Sequence, residues 1–448
     1  MLRVAVVGSG PSGVYTAAAL VEQRAVPGVR VDVLERLPCP YGLVRYGVAP
    51  DHEKIKSLQG NLRTALEHPG ISFFGNVPVG EARRGFAPGQ LLELYHAVVY
   101  CVGAATDRRL GIPGEDLPGS FSATEFVSWY SAHPDAAAGF RLGARSAVVI
   151  GVGNVAVDVS RVLARGADEL RPTDVPDAAL AALAGSRVTD IHMVGRRGPS
   201  QAKFTTKELR ELGALPGAET FVREREAALD PAWGDPSGLP AVGRRNVEVL
   251  RGWSERPPAG RGRRIHLRFF LRPVALLGDG AVRAVRFERT EPDGRGGIAG
   301  TGRFEEIDAQ LVLRSVGYRG VPIPGLPFDA RSGTVPHDRG RVLREGVPSP
   351  GEYVAGWIKR GPTGVIGTNR SCAKETVASL LADAEALLAR RPRGEPRAAL
   401  RAAGREPVEW PGWLGIEAAE AELGRRLGRG PVKIPDWEGL LTAARGRG

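Results

Sequence analysis

Two stretches of the 448-residue chain place small residues where a bound dinucleotide would need them. "VAVVGSGPSGVYTA", residues 4 to 17, carries Gly8, Gly10 and Gly13; "VVIGVGNVAVDVSR", residues 148 to 161, carries Gly151 and Gly153 with Ala156 in the third place. In such a motif the first small residue permits the tight turn, the second lets the backbone approach a pyrophosphate, and the third allows the helix to pack closely. The helix N-terminus then faces the anion. Beyond the glycines the two motifs diverge. The first reads as strand (Leu2 to Val7), helix (Val14 to Gln23) and strand (Val29 to Leu34), closing on Glu35, whose carboxylate can bind a ribose 2′-hydroxyl. The second continues as helix Asn154 to Ala164, a polar segment with prolines, and the strand "DIHMVGRR", which closes on Arg196 and Arg197. A carboxylate there would repel a 2′-phosphate, whereas two guanidiniums can hold one. The first site therefore suits a cofactor with an unphosphorylated adenosine ribose and the second suits NADP(H), the usual pair being FAD and NADPH. The plain alternative for Arg196 and Arg197 is a solvated strand end.

The elements that must position these loops are those of an α/β chain: two doubly wound, Rossmann-like dinucleotide-binding domains. The length suits two domains. A hydrophobic fraction of 42% is ordinary for a globular protein, and no run of 18 uncharged apolar residues is present. Met1 leads straight into the first strand without a signal-like segment, so the expected location is cytoplasmic. Cys39, Cys101 and Cys372 form neither a CxxC pair nor a ligand pattern. A net charge of +11 raises nucleic acid or an acidic protein as partner. No nucleic-acid motif accompanies the charge, which leaves an acidic protein, with arginine-rich composition as the competing explanation. The histidines other than His52 (His68, His96, His133, His192, His266 and His337) show no ligand spacing, and no metal is expected.

The chain resembles the adrenodoxin reductase type of ferredoxin–NADP reductase, bacterial members included. The stretches that carry the resemblance are "PYGLVRYGVAPDHEKIK" (40 to 56), "FFGNVPVG" (73 to 80), "CVGAATDRRLGIPGEDLPG" (101 to 119), "GRRGPSQAKFTTKELREL" (195 to 212), "RSVGYRGVPIPGLPFD" (314 to 329) and "GWIKRGPTGVIGTN" (356 to 369). The resemblance implies FAD contacts at Ser12, Glu35, Leu43, Val79, Trp357 and Gly364, Val365 and Ile366. It implies NADP contacts at Arg108, Asn154, Val155, Ala156, Val157, Arg196, Arg197, Glu208 and Gly364. The glycines of "GPTGVIGTNRSCAKETVASLL" precede a long helix, whose positive end could stabilise charge on a reduced flavin. Trp357 could pack on the isoalloxazine or serve as an ordinary core aromatic. The resemblance also points to His52 and Glu211 beside the nicotinamide. Hydride transfer needs alignment more than proton transfer, so both read as positioning or electrostatic groups, with exposed surface as their alternative.

The expected order is an FAD-binding domain over 1–105, an NADP-binding domain over 106–318 inserted into it, the second part of the FAD domain over 319–385, and a C-terminal linker and helical cap over 386–448. "WLGIEAAEAELGRRLGR" reads as an amphipathic helix and "PVKIPDWEGLLTAA" as a short docked element, a cap or else a partner-binding tail. The function so implied is that of an FAD-dependent NADPH:ferredoxin oxidoreductase, with hydride passing from NADPH to FAD and single electrons to a small acidic iron–sulfur protein. Its dock would lie on Arg244 and Arg245, within a basic region that also holds Arg261, Arg263, Arg264 and Arg268. The absence of CxxC argues against a dithiol acceptor. A flavoprotein that reduces quinone, oxygen or another small acceptor is the enzymatic rival, and a non-catalytic dinucleotide-sensing scaffold is the rival of another class. No membrane span is expected, and a monomer is.

Overall fold

The structure is a computed structural model that describes residues 1–80, 85–137, 139–402 and 406–446. The chain forms two compact units: the first comprises Met1–Val48, His52–Thr106 and Tyr318–Gly448, the second Ala49–Asp51 and Asp107–Gly317. Residues 403–405, 447 and 448 of the expected linker and cap lie outside the described residues.

Among the described residues, the first unit is built on a seven-stranded sheet in the order His337–Asp338, Arg341–Arg344, Val347–Val354, Ala97–Tyr100, Leu2–Val7, Val29–Leu34, Ile71–Phe74. The last five of these strands run parallel to one another. Leu2–Val7 is an almost unbroken apolar run because helices cover both faces of a parallel sheet. Its alternate side chains go opposite ways: Leu2, Val4 and Val6 join Ala17, Leu20, Trp413 and Leu440, while Ala5 and Val7 join Val98, Tyr100 and Val354. The fingerprint helix spans Pro11–Glu22. It starts three residues earlier than Val14, because Pro11 sits at the first helical turn, where its fixed φ is preformed and its missing N–H costs nothing. The helices Trp410–Arg426 and Trp437–Arg445 pack into this same core.

The second unit carries a six-stranded sheet, Ser120–Ser122, Leu311–Arg314, Ser146–Ile150, Asp190–Val194, Arg263–Arg268, Ala218–Val222. All of its pairings are parallel. A separate antiparallel sheet, Leu271–Leu277, Ala284–Pro292, Ile298–Asp308, contributes Leu271, Val285 and Phe287 to one core with Val148, Ile150 and Val194. The other face, through Ala147, Val149, Ile191 and Met193, packs on the second fingerprint helix, Asn154–Ala164. Ala49–Asp51 also belongs here, although its place in the sequence suggests the first part of the FAD-binding domain. Asp51 is tied into this unit by charge: with Asp158 it supplies the counter-charge that the buried Arg161 needs, and it also pairs with Arg165 at 3.2 Å.

Two histidines without sequence spacing meet across the sheet. His192 and His266 are register partners on adjacent strands, their rings stacked at 4.6 Å, and His266 Nε2 lies 3.0 Å from Asp190 Oδ1. Burial pushes His192 down to about 3, with His266 and Arg268 acting the same way. A folded pKa below the unfolded one means that stability is intact above the unfolded value near ~6.5 and is lost as pH falls below it. The loss is about 1.4 kcal/mol per pH unit at its steepest. Denaturant unfolding at pH 7 and pH 5 should show it, and His192→Gln should remove most of it; an unchanged pH slope in that variant would refute the assignment.

Candidate functional site

The first glycine-rich loop is shaped by backbone contacts. Gly8 has φ +104°, and a Cβ there would sit 2.6 Å from the Cys101 carbonyl oxygen. A Cβ on Gly13 would sit 1.8 Å from the Gly8 carbonyl oxygen. Gly10 is different: the nearest atom to a Cβ would be Gly42 Cα at 3.9 Å. Its missing side chain is not required by the protein's own packing, and the space suits an approaching ligand. Glu35 stands at the end of the second strand. Its carboxylate accepts from the Ser9 N–H (2.9 Å), the Ser9 hydroxyl (2.8 Å) and the Leu37 N–H (3.1 Å). These bonds aim the carboxylate at the loop. Ser12 is buried, and its hydroxyl makes no hydrogen bond of ordinary geometry among the described residues, with the Cys101 thiol as its polar neighbour. A Cβ on Gly356, at φ +79°, would come within 2.5 Å of that hydroxyl oxygen, so the "GWIKR" segment closes on the fingerprint helix.

The loop after Gly361 leads into helix Thr368–Ala382. Gly364 has φ +79°, the Val365 N–H donates to Thr368 Oγ1 at 3.1 Å, and Val365 is 67% exposed. Ile366 is half-buried. Trp357 is half-buried too: its indole N–H donates to the Thr363 carbonyl (3.2 Å), and its ring lies 5.3 Å from that of Tyr318. A fully buried core aromatic does not describe it. Leu43 is exposed and Val79 half-buried. His52 is buried at the start of the short helix Glu53–Lys56, contrary to its surface alternative.

In the second unit the loop repeats the logic. A Cβ on Gly151, at φ +138°, would meet the Ser315 carbonyl oxygen at 2.1 Å, whereas one on Gly153 would meet nothing within 4 Å among the described residues. Ala156 and Val157 are buried against the sheet and Val155 is half-buried. Asn154 Oδ1 accepts from the Thr205 N–H at 2.8 Å. Thr205 in turn caps helix Thr206–Gly213, its hydroxyl bonded to the buried Glu208 carboxylate. Sequence reasoning missed Thr205, as it missed Ser9 and Gly356; the S/T-x-x-E spacing of Thr205 and Glu208 was the available signal. Glu211, on the same helix, pairs with Lys207 at 3.6 Å and is one-third exposed.

Arg196 and Arg197 lie just beyond strand Asp190–Val194 with exposed side chains, and neither guanidinium has a hydrogen bond or ion pair among the described residues. Their backbones are fixed: Thr290 Oγ1 donates to the Arg196 carbonyl (2.9 Å) and the Phe270 N–H to that of Arg197 (3.3 Å). Arg108 is also exposed, its N–H donating to the Gly317 carbonyl at 2.8 Å. The expected basic region is largely dissolved by the structure. Arg268 is buried with Glu226 (2.7 Å) and Glu305 (2.6 Å), Arg264 pairs with Asp190 (2.6 Å), and Arg261 and Arg263 donate to backbone carbonyls. Arg244 and Arg245, on helix Ala241–Ser254, are exposed and without side-chain partners among the described residues.

Two glycine-rich strand-to-helix turns, one followed by an acid and the other by an exposed guanidinium pair, are the arrangement expected of a pyridine-nucleotide-dependent oxidoreductase that binds two dinucleotides. The pyridine nucleotide-disulphide oxidoreductase family matches residues 2–213. NADPH-ferredoxin reductase FprA of Mycobacterium tuberculosis is 49% identical over 389 residues, covering 84% of this chain and 83% of that protein. The mitochondrial NADPH:adrenodoxin oxidoreductase of Arabidopsis thaliana is 38% identical over 447 residues, covering 94% and 91%. The solved structure of Mycobacterium tuberculosis FprA in complex with NADPH superposes with a TM-score of 0.92 at 45% identity, covering 99% of this chain and 100% of that one. The chain belongs to the NADPH-ferredoxin reductase family. No helix among the described residues is long and apolar enough to cross a membrane, and no group of three or more potential metal-ligating side chains occurs among them.

Proposed function

We propose that the first unit holds FAD, the second holds NADPH, and the chain passes reducing equivalents from NADPH through the flavin to a small acidic iron–sulfur protein. The observation that carries this reading is the contrast between Glu35 and the exposed Arg196 and Arg197 at corresponding strand ends. An acid suits a ribose diol and a guanidinium pair suits a 2′-phosphate. Bound flavin supplies the conversion from two-electron to one-electron chemistry. The chain's own residues do the holding. Glu35 fixes the Ser9 loop, Gly10 admits a pyrophosphate, the buried Ser12 hydroxyl offers a hydrogen bond, and Gly364, Val365 and Ile366 present backbone at the start of a 15-residue helix. Leu43, Val79 and Trp357 complete the proposed FAD contacts. Gly151, Gly153 and residues 154–157 with Glu208 and Arg108 form the proposed NADP contacts, and His52 and Glu211 serve as positioning or electrostatic groups toward the nicotinamide.

An anaerobic titration of purified protein with NADPH and with NADH, followed by flavin absorbance, tests the reading. Bleaching at much lower NADPH than NADH is expected. A flavin left oxidised by both would remove the reductase and favour the scaffold.

On the same reading the protein is a monomer in a cytoplasmic setting, which suits three buried free thiols, and its acceptor docks on Arg244 and Arg245 beside the half-exposed Val242. Arg244→Glu with Arg245→Glu should slow ferredoxin reduction on the order of tenfold at low salt, through lost electrostatic steering. Reduction of a small artificial acceptor should be untouched. Stopped-flow traces with both acceptors check this, and equal damage to the two would sink the dock.

A further inference from the structure

The C-terminal helices Trp410–Arg426 and Trp437–Arg445 lie far along the chain from the first glycine-rich loop, yet three buried charges join this C-terminal segment to the turn at residues 41–46, which packs on that loop. Arg45 and Glu420 are each 4% exposed and Lys433 is 3% exposed. Arg45 Nη2 donates to Glu420 Oε1 at 2.5 Å, and the same oxygen accepts from the Ile434 N–H at 2.9 Å. Lys433 Nζ donates to the Arg45 carbonyl at 2.6 Å. The guanidinium is sandwiched as well, 5.1 Å from the Trp413 ring centre and 5.0 Å from that of Tyr46. Replacing a buried ion pair by apolar groups is often neutral or stabilising, so net stability is a poor reason for this arrangement. A fixed geometry is a better one.

What is fixed is the turn that backs the glycine-rich loop. The Arg45 and Tyr46 N–H groups both donate to the Gly42 carbonyl at 3.0 Å. Gly42 has φ +49°, and a Cβ on it would lie 3.0 Å from Gly10 Cα. Tyr41 has φ +81°, a strained conformation for a bulky residue that persists only when its surroundings impose it. Two contacts do so: its N–H donates to the Ser9 carbonyl at 3.0 Å, and its ring stands edge-on to Trp413 at 5.7 Å. Ser9 and Gly10 are thus supported from behind by residues that the C-terminal helices clamp.

We propose that the C-terminal helical pair is a working part of the flavin dinucleotide site: Glu420 and Trp413 are positioning residues that hold Tyr41–Arg45 and so pre-organise Ser9 and Gly10 for the pyrophosphate. This rests on the reading that the first unit binds FAD. A pre-organised loop loses less freedom on binding, and a loosened one weakens affinity without losing a single direct contact.

The test uses full-length protein stripped of flavin. FAD affinity is measured by fluorescence quenching well below the unfolding transition, NADP+ affinity is the internal control for the second unit, and the visible circular dichroism of the bound flavin is the spectroscopic readout. Glu420→Gln and Trp413→Phe should each weaken FAD about tenfold or more, the scale seen when groups that orient metal ligands are removed. NADP+ binding should be unchanged and the flavin dichroism altered. Glu422→Gln, on the exposed side of the same helix where it meets Arg425 and Arg426, should bind FAD as the unaltered chain does. If Glu420→Gln fails to fold, Trp413→Phe, which keeps a buried ring, decides the matter. Variants that unfold earlier yet bind FAD within about twofold, with unaltered dichroism, would overturn the proposal and leave a structural cap. An unaltered chain that binds no FAD would instead remove the flavin assignment itself.

Discussion

Arg196→Ala combined with Arg197→Ala should raise the dissociation constant for NADPH by about 100-fold while leaving that for NADH nearly unchanged. The two guanidiniums are exposed, and among the described residues nothing in the protein uses them. Their removal should therefore cost no folding stability. Two charge-assisted contacts to a 2′-phosphate, at about 1.5 kcal/mol or more each, account for a loss of that size. Because the pair is solvent-facing, the preference for NADPH should shrink as salt is added. Calorimetric titration of both coenzymes at two ionic strengths measures all of this. Equal losses for NADPH and NADH would refute the 2′-phosphate assignment, and a preference insensitive to salt would point to steric selection.

The second large effect divides two neighbouring glycines. Gly13→Ala puts a methyl 1.8 Å from the Gly8 carbonyl oxygen, a backbone atom that cannot yield without moving the loop. The variant should lose FAD and also unfold earlier, by several kcal/mol of stability, as overpacked backbone contacts do. Among the described residues Gly10→Ala meets only Gly42 Cα at 3.9 Å, and Gly10 already has φ −69°, so the flavin-free protein should be as stable as before or stabler by about 0.4–1 kcal/mol. Its FAD affinity should nonetheless fall about 10- to 100-fold, since the methyl stands where the proposed pyrophosphate approaches the backbone. Thermal melts of flavin-free and flavin-loaded protein separate the two. Full FAD binding by Gly10→Ala would remove the pyrophosphate from that loop.

The amino-acid sequence by itself determined the local elements that carry the two sites. The strands Leu2–Val7 and Val29–Leu34 and the helix Asn154–Ala164 lie where apolar runs and glycines put them, because strand and helix periodicity and the turn at a left-handed glycine are short-range properties. The contrast between Glu35 and Arg196–Arg197 was legible for the same reason: each closes a strand whose end the pattern marks. Only the tertiary structure decided which charges are free. "RGRRIHLR" looks uniformly basic as a string, but Arg268 is consumed by Glu226 and Glu305, while Arg244 and Arg245 are left to solvent. No sequence pattern announces a partner 42 residues away, since long-range pairing is set by how sheets and helices stack. The same holds for Asp51 meeting Arg161, for His192 stacking on His266, and for Glu420 reaching Arg45 across 375 residues. Buried charges must find counter-charges wherever the fold brings them, and that search is settled by packing in space and not by order along the chain.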